Sequence, residues 1–530
     1  MTPVVVVGGG IGGLATALLL GRRGQDVVVC ERDGAPVPPT TEEMWSKWPR
    51  PGTPQAALGH MFLPGFRLLL AERAPDVLEH LASAGAPLVD FSKDMPGHER
   101  RPEDAELRAI MCRRAVLEGI LRQAVQAEPT VDLRSGSDVV GLIAEPSAMR
   151  GIPQVIGVRT RNGAAIAATA VVIAGGRLVP IRRWLESIGA QPRGEFSEGC
   201  GSVCFTRFFR IHLRRGEDHN VATQLTVEGD AGYMRYEIAG ADQATFCVEL
   251  VAPVWDRKLR ALRHEAVHLA VARALPEIDD WLDAGRATPI GPVAAMGEER
   301  NVLRHFINDG RPIALGLHVI GDARCQLNSL YAWGSGVALT SAAALADVLN
   351  EHPRDSETQA LAFEARVGAE ITGRHELSLA RDRALRRTYQ GQRAWDEPTR
   401  GDDFIESTVI PAATHDPDIF RAVMRRNLQL DPVGALANNV RVLDRARALA
   451  AECGLAPRTP AAPTRETVLE LIATVDSKFR ARRVAPRRQS LCEIGRSSRG
   501  MGAVSVQALP TDRALDDRRT WQATQCAGDV

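Results

Sequence analysis

The chain has 530 residues, of which 45% are hydrophobic and 25% are charged. These proportions are typical of a globular protein and exclude fibrous, collagen-like and largely disordered chains. Lysine plus arginine and aspartate plus glutamate number 65 each, so the formal net charge is zero. The chain therefore lacks the overall excess of basic residues that is typical of proteins that bind nucleic acid or anionic membranes. At this length we expect two or three structural units.

The cysteines and the apolar stretches indicate the compartment. The nine cysteines are scattered without a CxxC pair, which is typical of free thiols in a reducing environment. The longest apolar stretch, residues 3–20, contains five glycines and has neither a basic leader nor a small-residue cleavage site. It therefore predicts neither a signal peptide nor a membrane span. We expect a soluble, cytoplasmic protein.

The amino terminus has the pattern of a dinucleotide-binding site. Val4–Val7 predicts a buried parallel strand, and it is followed by a glycine-rich turn and a run of helix-forming residues. Gly8 permits the tight turn, Gly10 lets the backbone approach a pyrophosphate, and Gly13 lets the helix pack closely on the strand. Gly12 lies in the same turn. The helix N-terminus offers N–H groups and a partial positive charge to the phosphates.

A second strand, predicted at residues 25–30, ends at an acidic residue. Glu31 stands about 20 residues after the first glycine, where such an acid accepts hydrogen bonds from ribose hydroxyls. Arg32 follows it and is included in the predicted cofactor site. Because an acid here disfavours a 2′-phosphate, FAD or NAD is expected rather than NADP.

Two distant segments favour FAD over NAD. Asp322 follows an apolar strand and is placed to bind a ribityl hydroxyl. Gly334 and Gly336 precede a predicted helix at residues 337–349, whose N-terminus can stabilise negative charge on a reduced flavin. Arg114 begins an amphipathic helix from which an arginine can reach the pyrophosphate.

These three segments, in this order, resemble the FAD-dependent monooxygenases of the aromatic-hydroxylase superfamily over about residues 3–350. Within that superfamily the chain is most similar to actinobacterial flavin epoxidases and hydroxylases of polyketide pathways. Gln55 and His60 match one of their segments, and Asn328 and Tyr331 match another. The resemblance implies an α/β fold: a Rossmann-like FAD-binding domain of the GR2 type, an antiparallel β-sheet substrate domain and a helical C-terminal region.

The same resemblance implies the chemistry. A C4a-hydroperoxyflavin would deliver oxygen from O2 to a hydrophobic small molecule, by epoxidation or hydroxylation, with the cofactor performing the difficult step. The candidate catalytic residues are Gln55, His60, Asn328 and Tyr331. For His60 a packing role, and for Tyr331 a place in the core, remain open alternatives. No metal site is expected.

The resemblance is incomplete at the segment that handles NAD(P)H in single-component members. Gly175 stands where they have an acid, and Val179 stands where they have a serine. Electrons from NAD(P)H are therefore expected through a separate flavin reductase, with direct use of NAD(P)H as the alternative. Ser329 and Ala332 replace a proline and a glycine beside the reactive face of the flavin.

The domain boundaries follow from the motifs and from changes in hydrophobic period. Alternating residues between 200 and 300 predict an antiparallel sheet over the flavin, and residues 357–390 predict long helices. We predict an FAD-binding domain at 1–195 with an inserted segment at about 36–110, a substrate-binding β-sheet domain at 196–300, the second part of the FAD-binding domain at 301–350, a helical region at 351–479 and an unfolded basic tail at 480–530.

Competing functions leave traces in the sequence. His264, Glu265 and His268 form an HExxH pattern in a predicted helix at 256–275, which zinc peptidases use but which also occurs by chance on solvated helices. A flavin halogenase would need a Trp-x-Trp motif and a lysine near residues 60–90, and the sequence has neither. A flavin oxidase or a reductase of the geranylgeranyl-reductase type is the main alternative, and a non-catalytic flavoprotein is another.

Overall fold

A computed structural model describes residues 2–97, 99–275, 278–283, 285–297, 299–391, 404–453 and 462–484. The predicted tail lies almost entirely outside these residues, except that the helix Arg465–Val484 includes its first five positions. The described helices include none that is long and apolar enough to cross a membrane.

The first sheet contains five strands among the described residues, and all of them are parallel. Val4–Val7 is the central strand, and its β-branched side chains are buried on both faces, as the sequence predicted. In sheet order the strands are Leu317–Val319, Ala170–Ile173, Val4–Val7, Val27–Glu31 and Val131–Ser135.

Helices cover one face of this sheet and a small antiparallel sheet covers the other. Ile11–Gly21 packs on the central strand, and Arg114–Ala127 and Trp333–Glu351 pack beside it in the same core. On the opposite face lie the strands Val139–Pro146, Pro153–Thr160 and Ala165–Ala167, with the helix Ile181–Ser187.

The second large sheet is antiparallel and contains six strands within the described ranges. One face packs on the helix Glu265–Ala272 and a cluster of aromatic and aliphatic residues. The other face packs against Trp45 of the helix Thr41–Ser46 and Met61 of the strand Met61–Phe62. Five strands pair in the order Thr226–Asp230, Arg235–Ala241, Thr245–Pro253, Ser202–Ile211 and Ala287–Pro289, and Ala294–Met296 also pairs with Ser202–Ile211.

Shorter strands and the remaining helices complete the fold. The further strands form three small antiparallel sheets: Glu195–Gly199, Arg300–Arg304 and Cys325–Gln326; Met61–Phe62, Arg108–Met111 and Leu88–Asp90; and Ile307–Asn308 with Arg311–Pro312. The further helices are Thr41–Ser46, Pro64–Arg73, Pro75–Ser83, Ser356–Tyr389, the π-helix Ile405–Val409, Ile410–Ala412, Pro417–Asn427, Val440–Cys453 and Arg465–Val484. The short 3-10 helices are Pro54–Ala57, Phe91–Asp94, Pro102–Glu106, Gly176–Leu178, His219–Gln224, Leu259–Arg263, Asp279–Leu282, Gly321–Ala323 and Ser329–Tyr331.

The predicted fold class is confirmed: a parallel α/β sheet with the glycine turn, an antiparallel sheet and a helical C-terminal region are all present. Residues 357–390, predicted as long helices, form one continuous helix, Ser356–Tyr389. The domain boundaries proposed from the sequence stay predictions. One hydrophobic core contains buried residues from Val4 to Leu449, so it includes residues of several proposed domains.

Candidate functional site

The glycine turn joins the central strand to the first helix. Gly8 has φ +109°, a conformation open to glycine, and a Cβ there would lie 2.6 Å from the carbonyl oxygen of Ala174. A Cβ on Gly13 would lie 1.9 Å from the carbonyl oxygen of Gly8, so the helix touches the turn at backbone distance. A Cβ on Gly10 would approach only Glu118, at 3.9 Å, because this position faces a cavity. The tight turn at Gly8 and the close contact at Gly13 agree with the roles expected from the sequence, and the approach of a pyrophosphate to Gly10 stays a prediction.

Glu31 ends the neighbouring strand and holds the turn. Its carboxylate accepts hydrogen bonds from the backbone N–H of Gly9 and, at 2.7 Å, from that of Asp33. Arg32 is exposed at the rim of the cavity. The expected contact of Glu31 with ribose hydroxyls stays a prediction, and the structure adds that the same carboxylate fixes the backbone of the glycine turn.

One cavity of about 790 Å³ brings most of the predicted residues together. It extends from the glycine turn, past the start of the helix Trp333–Glu351, to the antiparallel sheet. Three predicted residues pack behind its wall: Gly13 against Gly8, Gly336 against Gln429 and Tyr331 against Asp382. The predicted residues that line the cavity are Gly8, Gly10, Gly12, Glu31, Arg32, Gln55, His60, Arg114, Asp322, Asn328 and Gly334.

A buried arginine that the sequence analysis missed lies beside the glycine turn. Arg50 donates through Nη2 to the carbonyl oxygen of Gly9 at 3.1 Å, and the same nitrogen lies 3.1 Å from Glu118. Its Nε and Nη1 atoms are buried without a hydrogen-bond partner among the described residues. Arg114 donates to the other oxygen of Glu118 at 2.8 Å. Two guanidinium groups thus share one buried carboxylate at the edge of the cavity.

His60 is held neutral in this cluster. One ring nitrogen, Nδ1, lies 3.1 Å from the carbonyl oxygen of Leu58, and Nε2 lies 3.4 Å from the guanidinium of Arg114. Burial, with the positive charge of Arg114, lowers the pKa of His60 to about 4. A neutral imidazole that donates to Leu58 and accepts from Arg114 fits this geometry. It positions Arg114; the catalytic role of His60 stays a prediction.

Asp322 lies in a network of polar side chains at the middle of the cavity. Its Oδ2 accepts from Gln55 at 3.3 Å and from Arg177 at 3.4 Å. Arg177 also donates to Glu299 at 3.0 Å, and Ser329 donates to the other oxygen of Glu299. Gln55 and Asp322, both predicted as site residues, thus contact each other directly. The sequence did not predict that Glu299 belongs to this network.

The helix predicted at 337–349 is Trp333–Glu351, and it begins at the cavity four residues earlier than predicted, so Gly334 and Gly336 lie in its first turn and not before it. Its N-cap residue Ala332 has φ +54°, a left-handed conformation that costs an L-residue about 1 kcal/mol. Gly334 lies next to Asp322, so the positive end of a 19-residue helix is directed at this part of the cavity. Gly336 instead makes room for the side chain of Gln429.

Asn328 and Tyr331, predicted as catalytic, bind one buried carboxylate. Asn328 donates to Asp382 at 2.7 Å and Tyr331 donates to the same oxygen at 2.8 Å. Asn328 also accepts from the backbone N–H of Leu330, so its amide shapes the turn before the helix. Burial and the nearby Asp382 raise the pKa of Tyr331 well above its usual range. The geometry supports a positioning role for both residues, and their direct role in catalysis stays a prediction.

The antiparallel sheet presents acidic side chains at the other end of the cavity. Glu249 is 9% exposed and lines the cavity, and its Oε2 accepts from the hydroxyl of Thr206 at 2.6 Å. Glu237 stands directly opposite Glu249 on the neighbouring antiparallel strand. Burial, followed by the charges of Glu249 and Glu228, raises the pKa of Glu237 to about 8. Burial also raises the pKa of Glu249.

This raised pKa predicts a pH-dependent stability. The folded protein keeps the proton of Glu237 up to about pH 8, whereas an ordinary glutamate loses it near pH 4.5. Because the folded state binds more protons across this window, the free energy of unfolding falls as the pH rises from 4.5 to 8. We expect Glu237→Gln to raise Tm by about 1–3 °C at pH 9 and to change it little at pH 4.5.

Thermal unfolding followed by circular dichroism at pH 4.5, 7 and 9 measures this difference. Glu79→Gln is the matched control, because Glu79 is exposed on the helix Pro75–Ser83. A Tm shift of Glu237→Gln that is the same at all three pH values would contradict the assignment.

The HExxH pattern does not form a metal site. The helix predicted at 256–275 is interrupted: a turn at Leu259–Arg263 precedes the helix Glu265–Ala272. His268 is buried with Nε2 at 3.1 Å from the carbonyl oxygen of Phe205, and Glu265 pairs with Arg207. Within the described ranges, no group of three or more His, Cys, Asp or Glu residues could hold a metal ion.

The cavity fits a flavin dinucleotide. The unpartnered N–H groups of Arg50 would be costly to bury without an acceptor, and a pyrophosphate beside the glycine turn supplies acceptors. Asp322 offers a carboxylate that accepts hydroxyl hydrogens, and the start of Trp333–Glu351 offers positive potential. The glycine turn, Arg50, Asp322 and the helix N-terminus at Gly334 therefore all line one cavity, as binding of a flavin dinucleotide would need.

Comparison with known proteins supports this identification of the site. Residues 3–97 match the family model described as FAD dependent oxidoreductase. No curated protein matches the chain by sequence.

Solved structures share the fold at low sequence identity. A probable FAD-dependent monooxygenase from Pseudomonas aeruginosa, PqsL, has a TM-score of 0.51 at 19% identity, over 74% of this chain and 99% of its own. The flavin-dependent brominase Bmp2 has a TM-score of 0.55 at 12% identity, over 91% and 99%. A mutant of 2-methyl-3-hydroxypyridine-5-carboxylic acid oxygenase has a TM-score of 0.50 at 17% identity, over 79% and 98%.

The family match across the glycine turn supports the prediction of FAD as the cofactor. Residues 3–97 are thus similar to FAD dependent oxidoreductases, and the chain shares its fold with solved structures of FAD-dependent monooxygenases.

Proposed function

We propose that this protein is an FAD-dependent monooxygenase that epoxidises or hydroxylates a hydrophobic small molecule with O2. The observation that carries the proposal is the single cavity that joins the glycine turn to the face of the antiparallel sheet. Its sheet end is lined by the apolar residues Leu58, Met61 and Leu327, which give a small molecule room beside the expected position of the flavin ring.

The finer assignment, a natural product of the actinobacterial polyketide type, depends on the sequence segments around Gln55 and Asn328. Both segments lie at the cavity, on the same side as Asp322. Six cysteines, Cys30, Cys112, Cys200, Cys204, Cys247 and Cys325, are free and buried, which supports the expected cytoplasmic location.

Bound FAD, once reduced, supplies the activation of oxygen. The residues of this chain bind it, orient it and exclude water. Arg50 and Arg114 neutralise phosphate charge, and Asp322, fixed by Gln55 and Arg177, accepts hydroxyl hydrogens. The N-terminus of Trp333–Glu351 would stabilise negative charge on a reduced flavin, and the antiparallel sheet, which lines the cavity through Glu249, would help to exclude water.

The proposal for the electron source depends on two residues that line the same cavity. Gly175 and Val179 line it where single-component members carry an acid and a serine. We therefore propose that a separate flavin reductase transfers electrons from NAD(P)H. Anaerobic addition of NADPH to the FAD-loaded protein should leave the oxidised flavin absorbance unchanged over minutes, and a flavin reductase with NADPH should bleach it. Rapid bleaching without the reductase would contradict this proposal.

The oxygen chemistry is tested by stopped-flow absorbance. The FAD-loaded protein is photoreduced and mixed with oxygenated buffer, and a transient flavin spectrum should precede the return of the oxidised spectrum. Direct return without a transient would favour a flavin oxidase or a reductase of the geranylgeranyl-reductase type. Bromination of monochlorodimedone in the presence of bromide would favour halogenation instead.

A further inference from the structure

The first turn of the helix Trp333–Glu351 has two sides. Gly334 and Ser335 line the cavity, whereas Trp333 and Gly336 are buried and lie outside the cavity lining. Because a helix turn is rigid, the groups that pack on its buried side determine where its cavity side lies.

One turn of the helical C-terminal region, residues 427–429, packs on this buried side, and we call it the bracing turn. Trp333 Nε1 donates to the carbonyl oxygen of Asn427 at 2.9 Å, and Gln429 Nε2 donates to the carbonyl oxygen of Trp333 at 3.3 Å. The carboxamide of Gln429 also fills the space beside Gly336, where a Cβ would lie 1.9 Å from Oε1.

The bracing turn also contacts a second helix that begins near the cavity. The backbone N–H of Gly65 donates to the carbonyl oxygen of Leu428 at 3.0 Å, and a Cβ on Gly65 would lie 2.2 Å from the carbonyl oxygen of Gln429. Gly65 belongs to the first turn of the helix Pro64–Arg73, which follows Met61, a residue that lines the cavity. The bracing turn therefore lies between the first turns of two helices that border the cavity.

Gln429 occupies the bracing turn at a cost to stability. Its backbone has φ +59°, a left-handed conformation that favours glycine. Its Oε1 atom is buried and has no hydrogen-bond donor among the described residues. A glycine would remove both costs and would keep the carbonyl groups of the turn. Strain and an unsatisfied polar atom that coincide at one residue indicate a functional role.

We propose that Gln429 is a positioning residue for the flavin: it holds the first turn of Trp333–Glu351 so that the N–H groups of this turn face the cofactor. The inference rests on the proposed function, which directs this helix N-terminus at a reduced flavin. It extends that function to the helical region 351–479, of which no described residue lines the cavity. The affinity for FAD and the reduction potential of bound FAD then depend on a residue that the cofactor does not contact.

The variant Gln429→Gly tests this dependence. The Kd for FAD should rise roughly tenfold, because the hydrogen bond to Trp333 is lost and the first turn can move away from the cavity. The reduction potential of bound FAD, measured against reference dyes, should become more negative, because less positive potential stabilises the reduced flavin. The Tm of the apo protein should change little, since relief of the left-handed conformation offsets the lost contacts and the added freedom of the unfolded chain.

Gln243→Gly is the matched control. Gln243 has φ +55°, and its Nε2 donates to the carbonyl oxygen of Ala84 at 2.7 Å, as Gln429 does to that of Trp333. It is exposed, however, at the turn between two strands of the antiparallel sheet, outside the cavity lining. The control should leave both the Kd and the reduction potential unchanged.

Gly336→Ala displaces the same carboxamide without a change at position 429, and it answers the question if Gln429→Gly does not fold. The three atoms nearest to a Cβ at Gly336 all belong to the carboxamide of Gln429, so the methyl group pushes the end of a flexible side chain. We expect a similar rise in Kd. In the double variant the two effects should not multiply, because both act through one contact, and the Kd should rise roughly tenfold and not 100-fold.

Three outcomes would overturn the proposal. One is a Kd and a reduction potential that stay unchanged in the variants that fold. Another is a raised Kd with an unchanged reduction potential, or with a fall in the Tm of the apo protein of more than about 5 °C, because either result would show a structural role only. The third is a double variant in which the two effects multiply. If the native protein does not bind FAD at all, the proposed function itself is refuted, whereas normal binding by the native protein with unaffected variants refutes only the role of Gln429.

Discussion

Replacing Gly13 with alanine should destabilise the protein by about 2–3 kcal/mol or more and prevent it from retaining FAD. The added Cβ would lie 1.9 Å from the carbonyl oxygen of Gly8, and both groups belong to the backbone. Separation requires the helix Ile11–Gly21 to move away from the central strand, which displaces the N–H groups that face the cavity. The gain in helix propensity from glycine to alanine, about 1 kcal/mol, does not compensate for this.

Gly12→Ala is the matched control one residue earlier. A Cβ there would meet Ala338 at 3.5 Å and Ile320 at 3.6 Å, which are ordinary contact distances. The control should therefore keep the Tm of the native protein within a few degrees. Thermal unfolding and the FAD content of the purified variants measure both effects. Equal stability of the Gly13→Ala and Gly12→Ala proteins would contradict the close contact between helix and turn.

Replacing Arg50 with glutamine should raise the Kd for FAD by roughly 10- to 100-fold, because one or two charge-assisted hydrogen bonds to the pyrophosphate are lost. The unpartnered Nε and Nη1 atoms are the donors in question. Glu118 keeps Arg114 as a partner in the variant, so the apo protein should remain folded. Quenching of FAD fluorescence during titration of the apo protein measures the Kd.

Arg122→Gln separates this effect from a general loss of stability. Arg122 is buried against the same Trp48 ring as Arg50, but Trp48 and Arg122 lie behind the residues that line the cavity. The control should change the Tm and leave the Kd for FAD within about threefold. If Arg50→Gln and Arg122→Gln weaken FAD binding equally, Arg50 does not contact the cofactor.

The glycine turn and the strands around it were predictable because their information is local. The pattern consists of consecutive β-branched residues, glycines at fixed spacing and an acid at the end of the next strand. Each of these features specifies the backbone conformation of a few neighbouring residues. The structure accordingly contains the tight turn at Gly8, the close contact at Gly13 and Glu31 at the end of the neighbouring strand, while the contacts of Gly10 and Glu31 with a cofactor stay predictions.

The rest of the site depends on contacts between distant segments. Arg50 lies in a segment without helical or strand period, and only the fold brings it to Gly9. In the sequence, Glu249 is one polar residue within an apolar strand. Its position opposite Glu237 depends on the register of the paired strands. Asp382, which binds Asn328 and Tyr331, comes from a helix more than 50 residues later. The interrupted helix at the HExxH pattern likewise reflects tertiary packing of His268.

The central claim is that the cavity beside the glycine turn binds FAD, and the FAD content of the purified full-length protein tests it most directly. The flavin is released by denaturation, identified by chromatography against FAD and FMN standards, and compared with the protein concentration. The account predicts about one FAD per chain, or an apo protein whose Tm rises when FAD is added. A folded protein that holds no flavin, and whose Tm does not change with saturating FAD, would contradict it.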